Sequence, residues 1–162
     1  MPITIDQLSE QQWPALRELR FAALTDAPHA FEASLEDESR WGVDGWLSFV
    51  RNVAWFVAGL DGQPVGLVGG LRRREARDEP EIISMWVVPS QRGTGTADLL
   101  LQAVLGWAQR TGAHSMTLWI TDGNARARRL YERHGFRLTG ERSPLPAGRT
   151  GSELRMRRAD LN

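Results

Sequence analysis

The residues whose types and spacing most clearly suggest a chemical role form a short glycine turn, RGTGTA, at residues 92–97. Before it, residues 81–88 are apolar and β-branched, which predicts a buried strand that ends at Pro89, because proline cannot donate to a sheet ladder. After it, apolar residues recur at helical spacing from Leu99 to Trp107. A strand that passes through small residues into a helix leaves backbone N–H groups unpartnered, and the helix dipole adds to their attraction for an anion. The stretch therefore predicts a phosphate-binding site.

Two common phosphate loops do not fit this turn. The dinucleotide fingerprint GxGxxG needs a third glycine where Asp98 stands, and a carboxylate there would repel a pyrophosphate. The ATP-type loop needs a lysine, and all 20 basic residues of this chain are arginine. A tight turn without a ligand remains an alternative for Gly93 and Gly95.

A second motif, NxxAxxLYxxxGF, lies one helix and one strand further along, at residues 124–136. Taken alone, it is typical of an amphipathic helix with Gly135 as its C-terminal cap. Together with RxxGxA at residues 92–97, which follows a strand ending in Val-x-Pro, it resembles the coenzyme A loop and the downstream motif of the GCN5-related N-acetyltransferase (GNAT) superfamily. The two motifs stand in the order and at the separation that this superfamily requires.

The resemblance implies direct acyl transfer from acetyl-CoA, as co-substrate, to an amine. Backbone N–H groups of the turn are expected to contact the pyrophosphate, and Arg92 to add a charge-assisted hydrogen bond. Strand residues 85–87 are expected to offer backbone groups to pantetheine, with Val87 nearest the thioester. Asn124 is expected to hydrogen-bond the pantetheine arm, to cap its own helix, or to do both through different atoms. The implied cofactor-binding residues are Met85, Trp86, Val87, Arg92, Gly93, Thr94, Gly95, Thr96, Ala97, Asp98 and Asn124.

Two side chains are expected to move protons. Tyr131 matches the superfamily's general acid, and its phenol would protonate the leaving thiolate. A lysine-like amine has a pKa near 10.4, so its neutral form costs about 4.6 kcal/mol at pH 7, which a positioned base or a desolvating pocket must offset. Glu81, eleven residues before Arg92, stands at a position similar to the base of histone-acetylating relatives. A surface carboxylate beside Pro80 is the alternative for Glu81.

The acceptor is expected to be the primary amine of a small molecule. In the superfamily the first two helices and the loop between them wall the acceptor site, and we expect the loop around residues 144–151 to contribute to it. Relatives that acetylate ribosomal protein N-termini carry a glutamate where this chain has Trp119. A protein lysine or N-terminal acetyltransferase and a non-catalytic acyl-CoA-binding regulator remain alternatives. The candidate substrate-binding residues, each with core packing as the alternative, are Phe31, Trp41, Trp46 and Trp119.

The elements that position these residues predict a mixed α/β fold, in one domain over residues 1–162. The expected order is β-α-α-β-β-β-α-β-α-β-β. As in the superfamily, we expect a mostly antiparallel sheet of six to seven strands with helices on both faces. Strands 81–88 and 115–121 should be parallel and joined by a right-handed crossover, and in the superfamily this pair splays apart to admit the pantetheine arm. Residues 72–80 are expected to form a charged hairpin tip.

Composition limits other functions. The formal net charge is zero, so no global field favours nucleic acid or an acidic membrane. The chain has no cysteine, which excludes disulfides and zinc thiolates, and its three histidines share no metal-ligand spacing, so we expect no metal. Residues 1–10 carry no signal-peptide pattern, and no apolar segment approaches the span of a bilayer. We therefore expect a cytoplasmic protein, and many members of the superfamily are homodimers.

Overall fold

The computed structural model describes residues 2–31, 33–72 and 79–161. The described elements follow the predicted order, with one additional five-residue helix, Leu35–Ser39, between the two helices expected after the first strand. Residues 73–78 of the expected charged tip lie outside the described residues. In chain order the elements are β1 (Thr4–Gln7), α1 (Trp13–Asp26), α2 (Leu35–Ser39), α3 (Val43–Asn52), β2 (Val53–Leu60), β3 (Gln63–Leu71), β4 (Glu81–Val87), α4 (Thr96–Arg110), β5 (Met116–Thr121), α5 (Ala125–Arg133), β6 (Arg137–Pro144) and β7 (Ser152–Arg158).

The strands form a seven-stranded sheet in the order β1-β2-β3-β4-β5-β7-β6. Every neighbouring pair is antiparallel except β4 and β5, which are parallel. The register of this parallel pair consists of one position, Glu81 opposite Thr117. Beyond that position the two strands no longer pair, so the predicted mixed sheet with a splayed parallel pair is confirmed.

The two faces of the sheet carry different helices because side chains alternate along each strand. On β2, Trp55 packs with α1 and α3, whereas the next residue, Phe56, packs with α4 on the opposite face. Both side chains are buried, as are the apolar residues of α1 and α4 that cover them. Helices on both faces were predicted, and this arrangement places α1 to α3 on one side of the splay and α4 and α5 on the other.

Helix α4 lies close to the sheet because β3 has a glycine beneath it. A Cβ atom at Gly70 would lie 2.4 Å from the ring of Trp107, a distance that no real Cβ contact shows. The missing side chain therefore makes room for the indole ring. The position of α4 against β3 in turn fixes where the helix begins, at the end of β4.

Candidate active site

The glycine turn presents a row of backbone N–H groups at the start of α4. A 3-10 turn over Pro89–Gln91 ends β4, and Gly93 and Gly95 then adopt φ values of +78° and +89°. Both are left-handed conformations that side chains disfavour, and Gly95 is the N-cap of α4. Among the described residues, no backbone carbonyl accepts a hydrogen bond from the N–H groups of residues 93 to 98. The turn thus has the unsatisfied donors that the sequence predicts for an anion site.

Arg92 is held by the protein itself. Its Nε donates to the backbone oxygen of Val87 at 3.0 Å, and its Nη2 donates to Asp26 at the end of α1. The indole Nε1 of Trp86 donates to the same carboxylate oxygen at 2.9 Å. The hydrogen bonds from Trp86 and Arg92 hold the pKa of Asp26 below its usual range. If Arg92 contacts the pyrophosphate, as the sequence predicts, its guanidinium would therefore bind both the pyrophosphate and Asp26.

Asp98 lies in the first turn of α4, where its negative charge would repel a bound anion. Two basic side chains, one from α5 and one from the C-cap of α5, bind this carboxylate. Arg133 donates to both of its carboxylate oxygens at 3.0 and 3.1 Å, and His134 Nε2 lies 2.7 Å from one of them. Partial burial alone would raise the pKa of Asp98, but the hydrogen bonds from His134 and Arg133 outweigh it and lower the pKa. The side chain is thus turned toward α5, and only its backbone N–H remains for the cofactor.

Strand β4 is bulged beside the splay. Ile83 pairs with Gly69 and Trp86 with Leu67, so Ser84 and Met85 together oppose one residue of β3. Ser84 has a φ of +58°, which is unusual for a residue with a side chain. A bulge of this kind interrupts the ladder locally and redirects the backbone. Because β5 has also diverged here, the segment lies at the open end of the V-shaped gap.

A cavity of about 400 Å³ occupies this gap. Its walls come from both faces of the sheet, because the splay opens a passage between them. Side chains of α1, of the segment after α1 and of α3 lie on one side, and α5 lies on the other. Its lining includes Arg20, Phe31, Glu81, Ser84, Met85, Trp119, Asn124 and Tyr131.

Three of the predicted polar site residues meet in this cavity. Tyr131 is 6% exposed, and burial raises the pKa of its phenol above the usual value of 10.0, so the hydroxyl is protonated at neutral pH. Asn124 caps α5, because its Oδ1 accepts from the N–H of Ala127 at 3.1 Å, and no described residue partners its Nδ2. Glu81, at the one paired position of the splayed strands, is half-buried. The arrangement combines a neutral phenol, a free amide donor and a carboxylate around one space.

The predicted aromatic positions divide into two groups. Phe31 and Trp119 line the cavity, as expected of acceptor-binding residues. Trp46 is 1% exposed and belongs to the core beneath α1 and α3, and Trp41 packs against it with ring centroids 4.9 Å apart. For Trp46 the alternative of core packing applies, and Trp41 lies outside the cavity lining because it covers that core.

The strand residues expected to face pantetheine also divide. Met85 lines the cavity, whereas Trp86 and Val87 are buried in the two cores on either side of the sheet. The predicted contact is made through backbone groups, so the position of Val87 nearest the thioester stays a prediction.

Sequence reasoning missed the buried pair of Arg20 and Glu38 in the cavity wall. Arg20 is 2% exposed and Glu38 1% exposed, and they form an ion pair. One signal was available, since Arg20 interrupts the apolar stripe of α1 between Leu16 and Leu24. A charged side chain at a buried position requires a buried partner, but the sequence pattern did not identify Glu38 as that partner.

The Acetyltransferase (GNAT) family matches residues 13–136 of this chain. The chain therefore belongs to the GNAT acetyltransferase family, as the two motifs predicted. An uncharacterized N-acetyltransferase of Methanocaldococcus jannaschii is 30% identical over 95 residues, covering 56% of this chain and 42% of the relative. The mycothiol acetyltransferase of Thermobispora bispora is 31% identical over 131 residues, covering 78% of this chain and 42% of the relative.

A solved structure shares the fold. It is that of yncA from Salmonella typhimurium, a proposed acetyltransferase determined with its cofactor acetyl-CoA, and it superposes with a TM-score of 0.77 at 23% identity. The match covers 100% of this chain and 95% of that protein. By contrast, the chain spans less than half the length of the two sequence relatives named above. Within the described residues, no helix is both long and apolar enough to cross a membrane.

Proposed function

We propose that the protein is an acetyl-CoA-dependent N-acetyltransferase that acetylates the primary amine of a small molecule. The observation that carries this proposal is the cavity in the β4–β5 gap, which brings Tyr131, Asn124 and Glu81 together. The gap opens beside the bulge, and β4 leads from it directly into the glycine turn. A thioester lying along β4 would therefore reach the cavity while its diphosphate rests on the turn.

The backbone does most of the cofactor binding in this proposal. The N–H groups of residues 93 to 98 would donate to the pyrophosphate, supported by the dipole of the 15-residue helix α4. Asn124 Nδ2 would donate to a pantetheine amide while Oδ1 keeps its cap. The structure of yncA from Salmonella typhimurium, which has the same fold and was determined with acetyl-CoA, supports acetyl-CoA as the co-substrate.

The chemical step is a direct transfer. The neutral amine nitrogen attacks the thioester carbonyl carbon, a C–N bond forms, the C–S bond breaks and coenzyme A leaves as a thiolate. Glu81, directly or through water, accepts the proton that the ammonium form of the acceptor must lose. Tyr131 donates its proton to the sulfur, which its buried and neutral phenol is able to do at pH 7. The amide nitrogen then loses the extra proton that it carries after the attack, which restores the phenol, and Glu81 releases its proton to solvent.

The acceptor is a small molecule because the space for it is small and walled. The cavity of about 400 Å³ is at the lower end of the range for small-molecule sites. Phe31 and Trp119 contribute aromatic surface to it. Arg149 Nη2 donates to the backbone oxygen of Pro28 at 2.8 Å, which ties the β6–β7 loop to the segment after α1. The name of the mycothiol acetyltransferase relative supports a small acceptor.

The test is a turnover assay that measures free thiol with acetyl-CoA and a panel of amines. The protein contains no cysteine, so the thiol signal comes from released coenzyme A alone. We expect turnover with at least one small primary amine and loss of most of it in Tyr131→Phe. Turnover on peptides alone would replace the small-molecule acceptor by a protein. Acetyl-CoA binding without turnover on any amine would favour a regulator.

A further inference from the structure

A buried ion pair lies where the acceptor side of the cavity meets β4. The guanidinium of Arg20 binds the carboxylate of Glu38 through two hydrogen bonds, from Nε to Oε1 at 3.0 Å and from Nη2 to Oε2. Removing two charges from water is costly, and a buried pair of this kind generally stabilises a fold no better than apolar residues of the same size. The pair therefore points to a role other than stability.

Arg20 also reaches the bulge of β4. Its Nη1 donates to Ser84 Oγ at 2.6 Å. Ser84 is the residue with a φ of +58°, a conformation that persists only where its surroundings fix it. The hydrogen bond from Arg20 is such a constraint, because it holds the Ser84 side chain from a second element.

Aromatic rings in turn hold the guanidinium. Its central carbon lies 5.3 Å from the ring centroid of Phe31, 5.4 Å from that of Phe49 and 5.9 Å from that of Trp55. These rings come from the segment after α1, from α3 and from β2. Arg20 is therefore fixed by a carboxylate on one side and by three rings, and only its contact with Ser84 reaches the strand that faces the thioester.

We propose that Arg20 is a positioning residue for acetyl transfer. Through Ser84 it holds the bulged backbone of Ser84 and Met85 in the orientation that the thioester needs, and Glu38 orients the guanidinium and neutralises its charge. The proposal rests on the acetyltransferase activity proposed above. It explains why a charged pair is retained in a cavity wall, because an apolar pair could not hold the hydroxyl of Ser84.

Ser84→Ala is the selective variant, because it removes the hydrogen bond and leaves the pair of Arg20 and Glu38 intact. Ser84→Gly serves as a second variant that cannot fail through backbone strain, since glycine accepts a positive φ. Glu38→Gln removes the charge that orients Arg20. Its matched control is Glu36→Gln on the same helix, because Glu36 forms an exposed pair with Arg40.

We expect both Ser84 variants and Glu38→Gln to lower kcat by about 10-fold, with the KM for acetyl-CoA within about twofold of the wild type. Glu36→Gln should match the wild type. Hydrogen exchange of the β4 amides around Met85 should become faster in the three variants at a temperature well below the melting temperature, where the core amides of α4 remain protected. A merely structural role would change exchange throughout the core and leave the kcat of the folded fraction unaltered.

Wild-type kcat in Ser84→Ala, or unchanged exchange at β4, would overturn the positioning role. If the wild type turns over no amine, the proposed function fails, and hydrogen exchange alone decides whether Arg20 holds the bulge. Faster exchange confined to β4 in Ser84→Ala would then still support the inference that Arg20 constrains the bulge.

Discussion

Tyr131 is the residue whose environment specifies its role most closely. It lies in the cavity wall, it is protonated at neutral pH, and its ring packs edge-on against Phe136 with centroids 5.8 Å apart. Phenylalanine would keep that packing and remove the proton donor. We therefore expect Tyr131→Phe to lower kcat by about 10²-fold and to leave acetyl-CoA affinity unchanged. Steady-state kinetics and calorimetry of the variant measure the two quantities, and full activity would exclude the general-acid role.

The raised pKa of Tyr131 also makes a prediction about pH. The folded protein holds this phenolic proton more tightly than the unfolded chain, whose pKa is about 10. Below that pH the group has no effect on the pH dependence of the free energy of unfolding. Above it that free energy falls as pH rises, because only the unfolded chain releases the proton. Urea unfolding at several alkaline pH values measures the fall.

The chain contains one tyrosine, so its tyrosinate absorbance reports Tyr131 alone. We expect the absorbance to rise only when the protein unfolds at high pH. Tyr131→Phe should show no tyrosinate signal and a shallower loss of stability. Titration of the native protein at the ordinary tyrosine pKa would contradict the buried environment.

Asn124 caps α5 through its Oδ1, and we propose that its Nδ2 donates to pantetheine, so substitutions can separate the two roles. Asn124→Asp keeps an oxygen to cap α5 and loses the amide donor, whereas Asn124→Ala loses both. We expect the Asp variant to retain wild-type stability with weaker acetyl-CoA binding. The Ala variant should lose about 1 kcal/mol of stability as well. Thermal unfolding and calorimetry measure the two effects, and unchanged binding in both variants would leave Asn124 as a cap only.

At this scale the motif residues were predictable and their neighbours were not. Tyr131 and Asn124 are positions of the motif at residues 124–136, and Glu81 was named by its distance before Arg92, so one sequence was enough to propose them. The partners of Arg20 were hidden because Glu38 lies 18 residues away and Ser84 64 residues away. Contacts at such separations depend on how the elements pack, which no local pattern records.

At the scale of elements, the contact between α4 and β3 depends on Gly70. A methyl group there would meet the ring of Trp107 at 2.4 Å, so the ring or the helix would have to shift. We expect Gly70→Ala to destabilise the protein by about 1–3 kcal/mol. Gly42→Ala is the control, since a methyl group at Gly42 has no heavy atom within 4 Å.

A double mutant tests the cause of that loss. If the clash with Trp107 is responsible, Gly70→Ala should cost much less in a Trp107→Leu background than in the wild type. Chemical denaturation of the four proteins gives the coupling free energy. Additive losses would show that the clash is not the cause.

Elements were easier to predict than irregularities within them. The apolar run of residues 81–88 predicts β4, and the glycines predict the turn after it. The bulge at Ser84 and Met85 has no such signal, because serine at a positive φ has no characteristic sequence pattern and is stabilised by tertiary contacts.

At the scale of the whole molecule, the sheet places the glycine turn and the cavity beside each other, at the end of β4. The parallel pair of β4 and β5 interrupts an otherwise antiparallel sheet, and its divergence creates the gap between the two helical layers. Element order and the family resemblance predicted this architecture. The division of aromatic residues between core and cavity was not predictable, because Trp46 lies on α3 and Trp119 on β5, and no local pattern records which of the two is covered by other elements.

The central claim is that N–H groups of residues 93 to 98 bind the diphosphate of acetyl-CoA. Calorimetric titration of the protein with acetyl-CoA and with S-acetylpantetheine, which lacks the diphosphate, tests it most directly. We expect saturable one-to-one binding of acetyl-CoA, and an affinity at least about 10-fold lower for S-acetylpantetheine. Absence of a saturable complex with acetyl-CoA, or equal affinity for the two ligands, would contradict it.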